Sequence, residues 1–280
     1  MSGPGAEGAR SLPPLAALKP GDAFPPLEAA WPADSPAPGL LAVGGVLDAA
    51  TLRRAYAAAI FPWFAPGEPL LWWSPQPRMA LAVERFRLHR SLKQALKRFL
   101  ATPACEVRFD SAFGRVIRAC ATVPRPGQSG TWITPQMVAA YEELHAQQLA
   151  HSVEVWAEGR LLAGLYLVAL GRAVFGESMF TRVTDGSKIA LAALVAFCRT
   201  HALPLIDCQQ NTRHLASLGA APMPRADFAA QVALLAAQPG PAWRFSPSCW
   251  NALGLNSANS GTNSGTNSGK DDGRETPWRT

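Results

Sequence analysis

The sequence predicts a layered α+β (α/β) fold, and three observations carry that prediction. Residues 152–157 and 161–169 are apolar stretches separated by Glu158-Gly159, the pattern of an antiparallel hairpin. A third such stretch, 173–180, follows, and residues 187–200 are an alanine- and leucine-rich run with the composition of a helix. Residues 203–208 then read as a buried strand and 226–237 as a last helix. Strands feeding a long helix, then a strand, then a helix bury their apolar faces only by stacking in layers. With 48% hydrophobic residues in a chain of 280, there is enough apolar material for a sizeable core.

The remaining elements follow in chain order. Residues 1–22 are rich in Ala, Pro and Gly and read as a disordered extension. Residues 24–75 are proline-rich and read as irregular, aromatic-anchored structure around one short helix at 48–59. In 91–100, Leu92, Leu96 and Leu100 recur every four residues, which makes an amphipathic helix. Thr134-Pro135 supplies an N-cap and a proline at the first helical position, opening a helix that runs to about 149. The C-terminal stretch from 251 contains SGTNSGTNSGK and has almost nothing apolar to bury, so it reads as a low-complexity tail.

Charge and cysteine content narrow the class. The net charge of +6 favours an anionic partner, though weakly. The five cysteines are odd in number and contain no CxxC, which fits free thiols in a reducing cytoplasm rather than a zinc ribbon or a disulfide framework. No signal-peptide pattern opens the chain, and the longest clean apolar run, 161–170, is too short to span a bilayer. The histidines are not spaced as metal ligands, and no GxSxG, HExxH or GxGxxG is present. The expectation is a cytoplasmic protein with no metal site.

Four strings are not explained by core packing alone: IFPWF at 60–64, LLWWSPQPR at 70–78, GESMF at 176–180 and LIDCQ at 205–209. Each mixes aromatics with Pro, Gly or a polar residue inside an apolar frame, or sets polar residues at the end of one. Polar side chains in such places need partners. Glu177 is a carboxylate with apolar flanks, and Asp207 and Gln209 alternate with Cys208, which period-two geometry puts on one face. Arg90, Lys93 and Lys97 fall at i, i+3 and i+7 of the predicted helix and form a ridge suited to phosphate. Trp63, Trp72, Trp73 and Trp132 lie near Gly or Pro, where an indole can stack a base or wall a pocket. Every one of these also has an ordinary reading: a solvated strand-end glutamate, a turn-forming Asp with a solvated Gln, a solvated basic face, core tryptophans.

The strings AYAAAIFPWF, LLWWSPQPR, GTWIT, HSVEVW, GESMF, LIDCQ and HLASLGA, in this order between GLLAVGG at 39–45 and RFSP at 244–247, resemble the bacterial leucyl/phenylalanyl-tRNA–protein transferase family. The resemblance implies a small N-terminal domain, 23–75, on a larger acetyltransferase-like (GNAT-related) domain, 76–250. It implies transfer of Leu or Phe, less readily Met, from aminoacyl-tRNA to an N-terminal Arg or Lys of a protein, marking that protein for degradation. It implies no cofactor and a monomer. Glu177, Asp207 and Gln209 become the reaction centre. Trp63 and Trp132 hold the terminal adenosine and aminoacyl group, with Ser178 beside them. Leu165, Phe175, Met179, Leu191, Leu194 and Ile206 become an apolar amino-acid pocket. Arg90, Lys93 and Lys97 meet the acceptor stem, while Gln94 and Val174 depart from the usual pattern.

Two rival readings exist. An acyl-CoA N-acetyltransferase on the same fold would carry a Q/R-x-x-G-x-G/A loop for pyrophosphate, and this chain has none. A non-catalytic RNA-binding module would leave Glu177, Asp207 and Gln209 without work.

Overall fold

The computed structural model describes residues 12–123 and 131–255. It forms two sheets among the described residues, of four and seven strands. The N-terminal sheet comprises β1 (Ala16–Leu18), β2 (Leu40–Gly44), β3 (Phe61–Pro62) and β4 (Leu71–Trp73), in the order β1-β2-β4-β3. Between β2 and β3 lies helix α1 (Ala49–Ala57), whose N-cap Asp48 accepts the Thr51 backbone N–H at 2.7 Å.

The larger part begins with β5 (Arg78–Ala82), α2 (Arg90–Ala101), β6 (Cys105–Phe109), α3 (Phe113–Thr122) and α4 (Pro135–Ala146). The hairpin β7 (Ala150–Ala157) and β8 (Arg160–Leu170) leads into β9 (Ala173–Thr181), helix α5 (Gly186–Thr200) and β10 (Leu205–Gln209). Then come α6 (Arg213–Ser217), β11 (Ala221–Met223) and α7 (Arg225–Ala236). The seven strands run in the order β11-β5-β10-β9-β8-β7-β6. Only the central pair β9 and β10 is parallel; its crossover is α5.

Alternation divides the core between the two faces of this sheet. On one face Tyr166, Val168 and Phe175 pack with α1, α3, α4, α7 and the N-terminal sheet. On the other Leu165, Leu167, Val174 and Ile206 pack with α2 and α5. Buried Leu92, Ala95, Leu96 and Phe99 give α2 its inner face. The start of α5 lies so close to the sheet that a Cβ on Gly186 would stand 2.7 Å from the Ala163 Cβ.

Three expectations from the sequence are corrected. Residues 24–75 are not irregular, because Leu41, Ala42 and Trp72 bury in short paired strands. Within the extension 1–22, expected to be disordered, Ala16–Leu18 instead pairs in parallel with β2. Chain packing continues past residue 250, with Leu253 and Leu255 buried against α5 and the sheet. The repeat SGTNSGTNSGK lies outside the described residues.

Candidate active site

The site forms where the central parallel pair separates. Pairing of β9 with β10 ends at Phe175 and Asp207, although both strands continue. Each carries a bulge there. On β9 Gly176 faces Leu167 and Ser178 faces Tyr166, which leaves Glu177 as the extra residue. On β10 Asp207 faces Ala80 and Gln209 faces Met79, so Cys208 is extra and Gln209 takes a left-handed φ of 53°. The Gln209 side chain spans the gap: its Nε2 donates to the Gly176 carbonyl at 2.6 Å and lies 3.4 Å from Glu177 Oε1.

Glu177 is held by phenols from two helices. Tyr141 on α4 donates to Glu177 Oε2 at 3.1 Å, and the Tyr141 hydroxyl meets that of Tyr56 on α1 at 2.5 Å. The Tyr141 proton is committed to the carboxylate, so Tyr56 is the donor in the second contact. Glu177 keeps partial contact with solvent, but protein surrounds most of its carboxyl. Burial pushes its pKa up to about 7; the Tyr56 and Tyr141 hydroxyls and Arg78 oppose that shift, and Asp207 adds to it. Burial first, and then the Glu177 charge, keeps both phenols protonated well above the usual tyrosine range.

Asp207 acts on Gln209 from within the protein interior. It is the carboxylate of a buried bidentate ion pair, accepting from Arg78 Nε at 2.8 Å and Nη2 at 2.6 Å. The Arg78 guanidinium also lies over the rings of Phe61 and Phe228 and donates to the Ala59 carbonyl. Asp207 Oδ1 further accepts the Gln209 backbone N–H at 3.0 Å. It therefore fixes the strained turn that aims the Gln209 side chain. Between them, burial pushes the Cys208 thiol up to about 12, which disfavours its thiolate at neutral pH.

The other expected residues are distributed as follows. Leu165, Met179, Leu191, Leu194 and Ile206 do come together, in the core between the sheet and α5. Phe175 is separated from them: alternation points it to the opposite face, 5.0 Å from the Tyr56 ring. Of the five, Met179 alone keeps contact with solvent. Ser178 follows the bulge beside Glu177. Trp63 is 40% exposed and edge-on to Trp73, and Trp132 is partly buried just before the cap of α4. Arg90, Lys93 and Lys97 are all exposed on α2.

Sequence reasoning missed Arg78, Tyr56 and Tyr141. The available signal was an arginine closing the SPQPR string at the start of an apolar run, and tyrosines at inner positions of two helices. A cleft of about 470 Å³ on the outer sides of the same helices, lined by Arg53, Arg54, Glu143 and Gln147, is separate from this centre. Among the described residues no group of three or more His, Cys, Asp or Glu is placed to hold a metal ion. None of their helices is long and apolar enough to cross a membrane.

The family described as leucyl/phenylalanyl-tRNA protein transferase matches residues 80–233, and its N-terminal domain matches 45–76. The chain is 59% identical over 244 residues to the leucyl/phenylalanyl-tRNA–protein transferase of a Polaromonas species, covering 87% of this chain and 94% of that protein. The chain belongs to this family. Proteins of the same name from Albidiferax ferrireducens and Leptothrix cholodnii are 60% and 57% identical over 241 and 232 residues. Those alignments cover 86% and 82% of this chain, and 95% and 91% of those proteins. In this member of the leucyl/phenylalanyl-tRNA protein transferase family the centre draws on both matched segments. Tyr56 comes from the N-terminal one, and Tyr141, Glu177, Asp207 and Gln209 from the larger one.

Proposed function

We propose that this chain moves Leu or Phe, and less readily Met, from aminoacyl-tRNA to the α-amino group of an N-terminal Arg or Lys, marking the acceptor protein for degradation. The observation that carries the reading is Gln209 bridging the separated strands to a desolvated Glu177, in a chain of this family. The donor is already an activated ester, and the nucleophile is an amine. With an α-amino pKa of about 7.7–8.0, roughly a tenth to a fifth of it is neutral at pH 7. A strong base is not required, so positioning and polar stabilisation carry the rate.

The neutral amine attacks the ester carbonyl, a C–N bond forms, and the C–O bond to the terminal ribose breaks. The proton lost by the amine ends on that ribose oxygen. The Gln209 carbonyl oxygen orients the attacking N–H, while its Nε2 stays anchored on Gly176. Glu177 in its ionised form pairs with an ammonium group, and Asp207 with Arg78 holds the Gln209 turn. Trp63 and Trp132 hold the terminal adenosine, which suits the exposed indole of Trp63.

The aminoacyl side chain enters the layer of Leu165, Met179, Leu191, Leu194 and Ile206 at Met179, an unbranched and adaptable side chain. One methylene in such a pocket is worth only about 1–3 kcal/mol, so Leu, Phe and Met are all accepted. The exposed Arg90, Lys93 and Lys97 take the acceptor stem. The protein works in the cytoplasm as a monomer without a cofactor.

The test offers the protein an Arg-initiated peptide with Leu-, Phe-, Met-, Ile- and Asp-charged tRNAs in competition, and separately with acetyl-CoA. Addition of Leu, Phe and Met is expected. Acetylation of the peptide, or efficient transfer of Ile or Asp, overturns the reading.

A further inference from the structure

The basic face of α2 and the reaction centre are different places, and one short element joins them. Helix α6 starts four residues after Gln209 in the chain. Its far end is tied to the start of α2: the His89 ring Nε2 meets the Ser217 carbonyl at 2.7 Å, and the Arg87 N–H donates to the Leu218 carbonyl at 2.9 Å. A four-residue link reaches at most about 14 Å, so Arg213 stands within that distance of Gln209 on one side. Through His89 the same helix adjoins Arg90 on the other.

Arg213 is exposed, and among the described residues it has no carboxylate within ion-pair distance. Arg78, Arg108, Arg118, Arg160 and Lys188, by contrast, each face one. Lys188 is committed to Asp185 at 2.8 Å. Next to Arg213, burial and the Lys188 charge lower the His214 pKa. The exposed neighbours Asn211 and Thr212 are uncharged. Arg213 is thus an uncommitted fork of donors between a phosphate-binding face and the place where the ester reacts.

We propose that Arg213 binds a backbone phosphate of the single-stranded 3′ tail of the donor RNA. The proposal rests on the transferase reading above. With a duplex stem on α2, the strand that continues to Glu177 must be unpaired, because protein surrounds most of that carboxyl. Such a strand, with its terminal ribose at Gln209, passes α6 on its way.

The experiment uses the full chain with Arg213→Ala and Arg213→Lys, and two donors: leucyl-tRNA and leucyl-adenosine, which has no phosphate. Binding of uncharged tRNA is measured beside it as a function of salt. Arg213→Ala is expected to raise KM for leucyl-tRNA about 2–5-fold with kcat unchanged. It lowers the slope of log affinity against log salt by about 0.7, the value for one single-strand phosphate. Leucyl-adenosine is used as before, and Arg213→Lys keeps the slope. An unchanged slope and KM, or an equal loss with both donors, overturns the proposal. Absence of transfer by the wild-type protein from either donor overturns the transferase reading instead; the salt slope of tRNA binding then still decides the role of Arg213.

Discussion

At Glu177, burial and hydrogen bonding pull in opposite directions, and burial wins. The folded pKa near 7 lies above the ordinary 4.5, so the folded state holds a proton that the unfolded chain has released between those values. Stability contributed by this group is present below about 4.5 and is lost as pH rises toward 7. Glu177→Gln is therefore expected to raise Tm relative to wild type at pH 8, with the gain shrinking toward pH 5; a pH-independent difference in thermal melts contradicts it. For Gln209→Ala we expect kcat to fall by about 10²–10³, corresponding to loss of about 2.7–4 kcal/mol of transition-state stabilisation, with tRNA affinity unchanged. Steady-state kinetics beside a binding isotherm check this. Glu177, Asp207 and Gln209 were legible in the sequence as polar residues in apolar frames. Arg78, Tyr56 and Tyr141 were not, because their partners are remote: Arg78 and Asp207 lie 129 positions apart, and Tyr141 and Glu177 lie 36 apart. An arginine after proline and a tyrosine on an inner helix face look the same whether or not such a partner exists.

Strand and helix behaviour sets what the substitutions will report. Asp207→Ala leaves the buried Arg78 unpaired, which costs about 3–5 kcal/mol of stability. Urea unfolding of that variant is expected to show this loss, so its reduced activity follows in part from destabilisation; a midpoint equal to wild type contradicts the structural role. On α2, neutralising Arg90, Lys93 and Lys97 together is expected to flatten the salt dependence of tRNA affinity by about 2–3 units. An unchanged slope places the RNA on another surface. The limits of the expected helices were legible to within about three residues, because period and capping are local signals. Helix α5 runs Gly186–Thr200 against an expected 187–200 and α4 ends at Ala146 against about 149, whereas α3 and α6 were not expected at all. The bulges at Glu177 and Cys208 were not legible, and the one at Cys208 breaks the strict alternation from which Asp207 and Gln209 were placed on one face. The short strands of the N-terminal sheet were hidden by their prolines and by lengths of two to five residues.

Across the whole molecule, the centre depends on the N-terminal sheet and its helix as much as on the larger part. Tyr56 reaches Tyr141, the Ala59 carbonyl accepts from Arg78, and the Phe61 ring lies under the same guanidinium. Tyr56→Phe removes a hydroxyl that favours the Glu177 carboxylate. The midpoint of the pH profile of kcat/KM is expected to move upward from about 7, and an unmoved midpoint disconnects the N-terminal unit from the chemistry. The layered fold was readable from pattern and composition and the small and larger units followed from the family resemblance, whereas the packing of the two around one carboxyl was not readable.

The long separation between Arg78 and Asp207 has a consequence during synthesis. At about 5–20 residues per second, roughly 6–26 s pass between the emergence of the arginine and that of its carboxylate. Throughout that interval β5 lacks its neighbour β10, which offers a bare strand edge to other chains, and the guanidinium stays in water. The nascent chain thus carries this bare edge until β10 emerges, late in synthesis. The centre is complete only once β10 lies between β5 and β9 and the ion pair is closed.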